Sequence, residues 1–89
     1  MKGRATPDFW SCFAKLPPDI RRRAGRTYAR WLRDPAHPGL RFRRLNTKNP
    51  VYSIRIACNW RALGVRDGDT IVWFWIGNHG DYDAMIARL

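Results

Sequence analysis

The segment Thr70 to Ile76, TIVWFWI, constrains the fold more than any other stretch of the chain. It is almost wholly apolar and dense in β-branched and aromatic residues. It is far short of the ~18–20 apolar residues of a membrane span. Its length and composition predict a strand buried on both faces. Asp67-Gly68 just before it is a strong hairpin signal, and Gly77-Asn78-His79-Gly80 just after it breaks the run. The chain must therefore supply sheet partners and cover for this strand from its remaining residues.

The partners are visible on its N-terminal side. Val51 to Cys58 alternates in polarity and is rich in strand-forming residues, and Trp60 to Arg66 follows as a second strand. Leu40 to Leu45 also alternates, with NTKNP (46–50) as a turn. Together these four predict an antiparallel meander.

The cover is helical. Thr6-Pro7-Asp8 is a helix start, with Thr at the N-cap, Pro in the first turn and an acid at the positive end. Phe9, Phe13 and Leu16 follow on one face, and Pro17-Pro18 stops the helix. Pro18-Asp19 opens a second helix, ending at Asp34-Pro35. Its apolar stripe is Ile20, Ala24, Thr27, Tyr28, Trp31 and Leu32. So short a link predicts a helical hairpin. Asp81 to Leu89 predicts a short closing helix with Tyr82, Ile86 and Leu89 on one face. The expected fold is α+β, one domain over residues 1–89, with an N-terminal helical hairpin packed on a twisted antiparallel sheet and a short C-terminal helix.

Register decides which side chains meet. The Asp67-Gly68 turn sets Arg66 against Asp69, Leu63 against Val72 and Arg61 against Phe74. A three-residue connection over 57–59 sets Ile56 against Trp60 and Arg55 against Arg61. One sheet face then carries Ser53, Arg55, Arg61, Leu63, Val72 and Phe74. The other carries Tyr52, Ile54, Ile56, Trp60, Ala62, Ile71, Trp73 and Trp75 as a wall for the helices. Like charges directly opposite are destabilising unless an anion sits between them. The alternative is an Arg pair splayed to solvent, and a one-residue slip would separate the two.

Charge narrows the partners. The chain carries 17 Lys and Arg against 7 acids, a net +10. Nine of those units fall within residues 1–44, and 14 of the 17 basic residues are Arg, which forks onto phosphate and carboxylate. Arg22, Arg26, Arg30 and Arg33 form a stripe on the second helix, and Arg41, Arg43, Arg44 and Lys48 extend the basic surface. With 13% aromatics the chain is no disordered basic tail. MKGRATPDFW has no apolar core of a secretory leader, so a cytoplasmic protein with no membrane partner is expected. Cys12 and Cys58 fit no metal or redox spacing and are read as buried free thiols, one disulfide being the alternative. No metal or cofactor is expected.

The chemistry-bearing set lies at the C-terminal end. His79 follows the apolar strand at a Gly-flanked bend, three residues before Tyr82. Histidine exchanges protons near neutrality and tyrosine donates a hydrogen bond. Beside Arg55 and Arg61 they suit phosphoryl chemistry, the arginines holding charge on a phosphorane and His79 and Tyr82 handling protons. The bland alternatives are a loop hydrogen bond for His79 and core packing for Tyr82. His37, between Ala36 and Pro38, reads as a plain loop residue.

On FAKLPPDIRRRAGRTYARWLRDPAHPGLRFRRL followed by YSIRIACNWRALGVRDGDTIVWFWIGNHGDYDAMI, the chain resembles the RelE/ParE superfamily of toxins from bacterial type II toxin–antitoxin systems. The resemblance implies a helical hairpin on a twisted sheet and an acidic cognate antitoxin that wraps the toxin in a hetero-oligomer. For RelE-type members it implies metal-independent mRNA cleavage on or near the ribosome, by 2′-hydroxyl attack on phosphate. Arg61 matches the family's arginine in the strand after the hairpin, Arg55 a basic position in the preceding strand, Tyr82 the C-terminal tyrosine and His79 a basic or histidine position. Ser53 stands where RelE-type enzymes carry a lysine, and the family's first strand is reduced to Lys2 to Ala5. ParE-type members share the fold and inhibit DNA gyrase without catalysis, the alternative activity here.

Overall fold

The computed structural model describes all 89 residues. In chain order it has β1 (Lys2–Ala5), α1 (Pro7–Ala14), α2 (Pro18–Arg33), a single 3-10 turn (Pro38–Leu40), β2 (Arg43–Arg44), β3 (Val51–Ala57), β4 (Trp60–Asp67), β5 (Thr70–Asn78) and α3 (His79–Ala87). The strands form one sheet in the order β1-β5-β4-β3-β2. No helix is long and apolar enough to cross a membrane.

The helical hairpin forms for the local reasons its sequence predicts. Thr6 Oγ1 accepts from the Phe9 N–H at 3.2 Å, so the threonine caps α1. Pro17 and Pro18 confine the link, and α2 runs sixteen residues with Asp19 in its first turn and Arg30 and Arg33 in its last. Ile20, Ala24 and Trp31 are buried against Ile54, Ile56, Ala62, Ile71, Trp73 and Ile76 of the sheet. Thr27 is half-buried, while Tyr28 and Leu32 stay exposed at the edge of the stripe.

The sheet differs from the expected meander in three ways. It is mixed: β1 runs parallel to β5, with the Thr6 N–H donating to the Trp73 carbonyl at 2.9 Å. That pairing makes β5 an interior strand and accounts for its continuous apolar run. Second, the strand expected from Leu40 to Leu45 is reduced to Arg43–Arg44, because Leu40 closes the 3-10 turn and Arg41 takes a left-handed conformation, φ 46°. Third, Asp67 pairs with Thr70, so the tight turn is Gly68-Asp69, with Gly68 at φ 63°.

A bulge then changes which residues share a face. The displaced turn moves the β4–β5 pairing by two residues and a register shift between Leu63 and Gly64 moves it by one more, so Leu63 faces Trp75 rather than Val72, and Arg61 faces Gly77 rather than Phe74. Trp75 consequently leaves the helix wall. It packs with Val51, Leu63 and Tyr82 in a second, smaller apolar cluster beneath α3. Gly64 makes the bulge feasible, since a Cβ there would collide with Ile71 and Trp73. α3 starts two residues earlier than expected; Tyr82 is buried, Ile86 is half-buried and Leu89 is exposed.

Candidate functional site

The site lies at one end of the sheet, where the β3–β4 hairpin meets the start of α3. Arg55 and Arg61 are directly opposite on neighbouring strands, as the sequence register predicts. The pairing survives a register shift between Arg55 and Ala57, which sets Ala57 rather than Ile56 against Trp60. One nitrogen of Arg61, Nη1, donates to the carbonyls of Ala57 (2.8 Å), Trp60 (3.0 Å) and Cys58 (3.2 Å). Arg61 thus locks the hairpin turn while its charge stays beside Arg55. Partial burial, then the charge of Arg55, then that of Arg41 lower its pKa below the ordinary guanidinium value, while Tyr82 and Cys58 act in the opposite sense. Arg41 therefore also belongs to this cationic neighbourhood.

α3 brings the other two side chains. Asn78 caps it, its Oδ1 accepting from the Asp81 N–H at 2.8 Å. The His79 N–H donates to the Asn59 carbonyl at 2.7 Å, which ties the helix start to the same hairpin that Arg61 locks. His79 is the first helical residue, and its half-exposed ring places Nδ1 3.4 Å from an Asp83 carboxylate oxygen. This leaves Nε2 as the other proton-exchanging atom. Asp83 was not expected as a partner, although its i, i+4 spacing from His79 is the signal that would have found it.

Tyr82 is placed differently. It is only 6% exposed, packs on Trp75 and lies 5.7 Å from the His79 ring centroid. Its hydroxyl donates to Ser53 Oγ at 3.0 Å, and Ser53 is 3% exposed. Ser53 is thus the buried partner of the tyrosine.

The basic surface is also redistributed. Arg26, Arg30 and Arg33 line a cleft of about 510 Å³ between α2, the 3-10 turn and the end of β3, together with Arg23, His37 and Arg55. Arg22 is exposed but lies outside it, as do Arg41, Arg43, Arg44 and Lys48. Three members of the expected stripe, Arg26, Arg30 and Arg33, thus share this cleft with Arg23. His37 is more than a loop residue: its Nδ1 accepts from the Gly39 N–H at 3.1 Å and caps the 3-10 turn. Both cysteines are free; Cys12 is half-buried, and Cys58, expected in the interior, is exposed at the hairpin. No group of three His, Cys, Asp or Glu side chains converges to hold a metal ion.

On the other side of α2 an apolar groove of about 250 Å³ opens between the two helices and the sheet. Phe9, Trp10 and Phe13 form one wall, Ala24, Gly25 and Tyr28 the other, and Trp73 part of the floor. Trp10 is 56% exposed and Tyr28 39%.

Residues 18–84 match the family described as the ParE-like toxin domain. No curated protein matches the sequence directly. Among solved structures, the chain is similar to the RelB–RelE antitoxin–toxin complex of Methanococcus jannaschii (19% identity, 91% of this chain and 96% of that one, TM-score 0.74). It is similar to the RelBE2 toxin–antitoxin complex of Mycobacterium tuberculosis (21%, 86% and 95%, TM-score 0.70). It is also similar to the isolated RelE toxin of E. coli (13%, 98% and 96%, TM-score 0.66). At these identities the likeness establishes the fold, a helical hairpin on a five-stranded sheet with a C-terminal helix.

Proposed function

Given that this chain belongs to the ParE-like toxin family, we propose that it is the toxin of a type II toxin–antitoxin pair and acts as a metal-independent mRNA endoribonuclease on or near the ribosome. The observation that carries this reading is the placement of Arg55 opposite Arg61 on the hairpin whose Asn59 carbonyl also anchors His79. Two guanidinium groups with no carboxylate between them favour an anion that gains charge. His79 offers proton transfer at the edge of that anion site. In the proposed step the 2′-oxygen bonds to the adjacent phosphorus, and the 2′ proton is lost to water at the open mouth of the site. The bond from phosphorus to the 5′-oxygen breaks as that oxygen takes a proton from the His79 imidazolium. Arg55 and Arg61 hold the charge on phosphorus. Tyr82 acts through position, its buried bond to Ser53 holding α3 so that His79 stands over the hairpin.

The test is induction of the protein followed by mapping of mRNA 5′ ends. New ends that vanish in His79→Ala and Arg61→Ala support the reading. Intact mRNA throughout growth arrest would overturn it.

One observation favours the second reading, a non-catalytic inhibitor of DNA gyrase. A buried Tyr82 hydroxyl held by Ser53 withdraws one member of the expected proton-handling pair. Under this reading DNA supercoiling changes first after induction and mRNA ends do not.

The antitoxin is proposed to bind the apolar groove. An amphipathic acidic segment would seat its apolar side chains between Phe9, Trp10, Phe13 and Tyr28 and a carboxylate on Arg4, which lines the groove. The surface arginines Arg41, Arg43 and Arg44 and Lys48 remain candidates for antitoxin or nucleic acid. The complexes formed by the RelB–RelE proteins support a hetero-oligomer of this kind.

A further inference from the structure

The cleft on the far side of α2 is a second charged feature that the reaction above does not require. We propose that it binds the phosphate backbone of a single-stranded nucleic acid, as a track that adjoins the reacting centre at Arg55 and lies across α2 from the proposed antitoxin groove. Arg23, Arg26, Arg30 and Arg33 recur at i, i+3, i+7 and i+10, one face of α2, over about 15 Å of helix axis. That length exceeds a single phosphate and fits a run of them. Arg55 and His37 complete the lining from β3 and the 3-10 turn. The cleft has this shape because β2 pairs only with Tyr52 and Ser53, so Arg55–Ala57 form an uncovered strand edge facing the helix.

Two observations identify the occupant. No carboxylate lines the cleft, and the only ion pair in the molecule is His79–Asp83, so none of the fourteen arginines has an acidic partner within the protein. Unpaired guanidinium groups concentrated in one concavity repel each other, and a polyanion removes that cost. Arginine also matches phosphate oxygens in bidentate fashion. An acidic amphipathic peptide is the poorer fit, because the apolar surface it needs lies across the helix, where Ala24, Gly25 and Tyr28 face the groove. Arg55 is common to the cleft and to the Arg pair, so a strand held in the cleft passes directly beside the proposed reacting centre. The binding proposal stands whether or not that strand is cut.

The test uses the full chain and a fluorescent 2′-O-methyl oligouridine, which lacks the attacking hydroxyl, with anisotropy followed between ~50 and ~200 mM salt. Arg26→Gln/Arg30→Gln should weaken binding by about tenfold or more at the low-salt end and flatten the log–log salt slope by about 1.4, at ~0.7 for each lost phosphate contact. Arg26→Lys/Arg30→Lys should keep most of the slope, and Arg88→Gln should match the wild type. Equal slopes for wild type and the Gln variant, with both folded by circular dichroism, would overturn the proposal. So would poly-glutamate competing as well as the oligonucleotide and losing affinity in the same variant, which would assign the cleft to an acidic protein. Wild-type binding with the expected slope, together with no cleavage of either free RNA or a ribosome-bound message, removes the ribonuclease reading and leaves this one intact.

Discussion

The Tyr82 hydroxyl donates to Ser53 Oγ at 3.0 Å, joining α3 to β3 across 29 residues of sequence in the interior of the smaller apolar cluster. Tyr82→Phe would leave the serine hydroxyl buried without a partner. The expected cost is about 1–2 kcal/mol of stability, read from urea unfolding. Toxicity should fall only in proportion to the loss of folded protein. A variant of wild-type stability and no activity would instead place the hydroxyl in the chemistry.

His79 differs because its ring is half-exposed. His79→Ala should change stability by no more than about 0.5 kcal/mol and lower the cleavage rate by about 10²–10⁴, the usual contribution of a positioned proton donor. Asp83→Asn should have a smaller effect in the same direction, because it removes the group that orients Nδ1. Both are checked by single-turnover cleavage of a ribosome-bound message.

The Arg55–Arg61 pair would set the proposed function against stability. Arg61 is bonded to three turn carbonyls, whereas Arg55 contributes repulsion across the ladder. Arg55→Gln should therefore raise stability by a few tenths to about 1 kcal/mol at low ionic strength. The gain should fade in molar salt as the charges are screened. The same variant should lose cleavage. Melting curves at two salt concentrations, paired with the cleavage assay, test both halves.

That pair was legible in the sequence although its turn was not: a three-residue connection over 57–59 sets Arg55 against Arg61, and the structure reaches the same pairing by setting Ala57 against Trp60 and shifting register between Arg55 and Ala57. The place of Trp75 was not legible. The bulge at Leu63 and Gly64 inserts one residue into the β5 side, so alternation read from Ile71 and Trp73 transfers to Ile76 instead of Trp75. The only sequence mark of this was a glycine inside a strand pattern. Gly64→Ala should destabilise by about 1–3 kcal/mol through overpacking against Ile71 and Trp73, as measured by thermal unfolding. β1 was recognised as a remnant strand, but its parallel pairing with β5 was not, since four residues of KGRA carry no periodicity. Arg22 and Arg23 are both compatible with a helical stripe. The position of the 3-10 turn selects Arg23 for the cleft, and that is a tertiary fact.

Gly25 gives the sharpest test of the antitoxin groove. It lies in the interior of α2, where glycine costs about 1 kcal/mol relative to alanine, yet a Cβ there would meet nothing within 4 Å. Internal packing therefore does not require glycine at this position. It does line the groove, so a side chain added there would occupy the space proposed for the partner. Gly25→Leu should keep the fold, raise stability by about 0.5–1 kcal/mol through helix propensity, and leave toxicity intact. Its neutralisation by the cognate antitoxin should fail. Co-expression measures this directly: growth arrest that persists with the antitoxin present places the antitoxin in the groove. Full rescue, with the complex still co-purifying, would move the interface elsewhere.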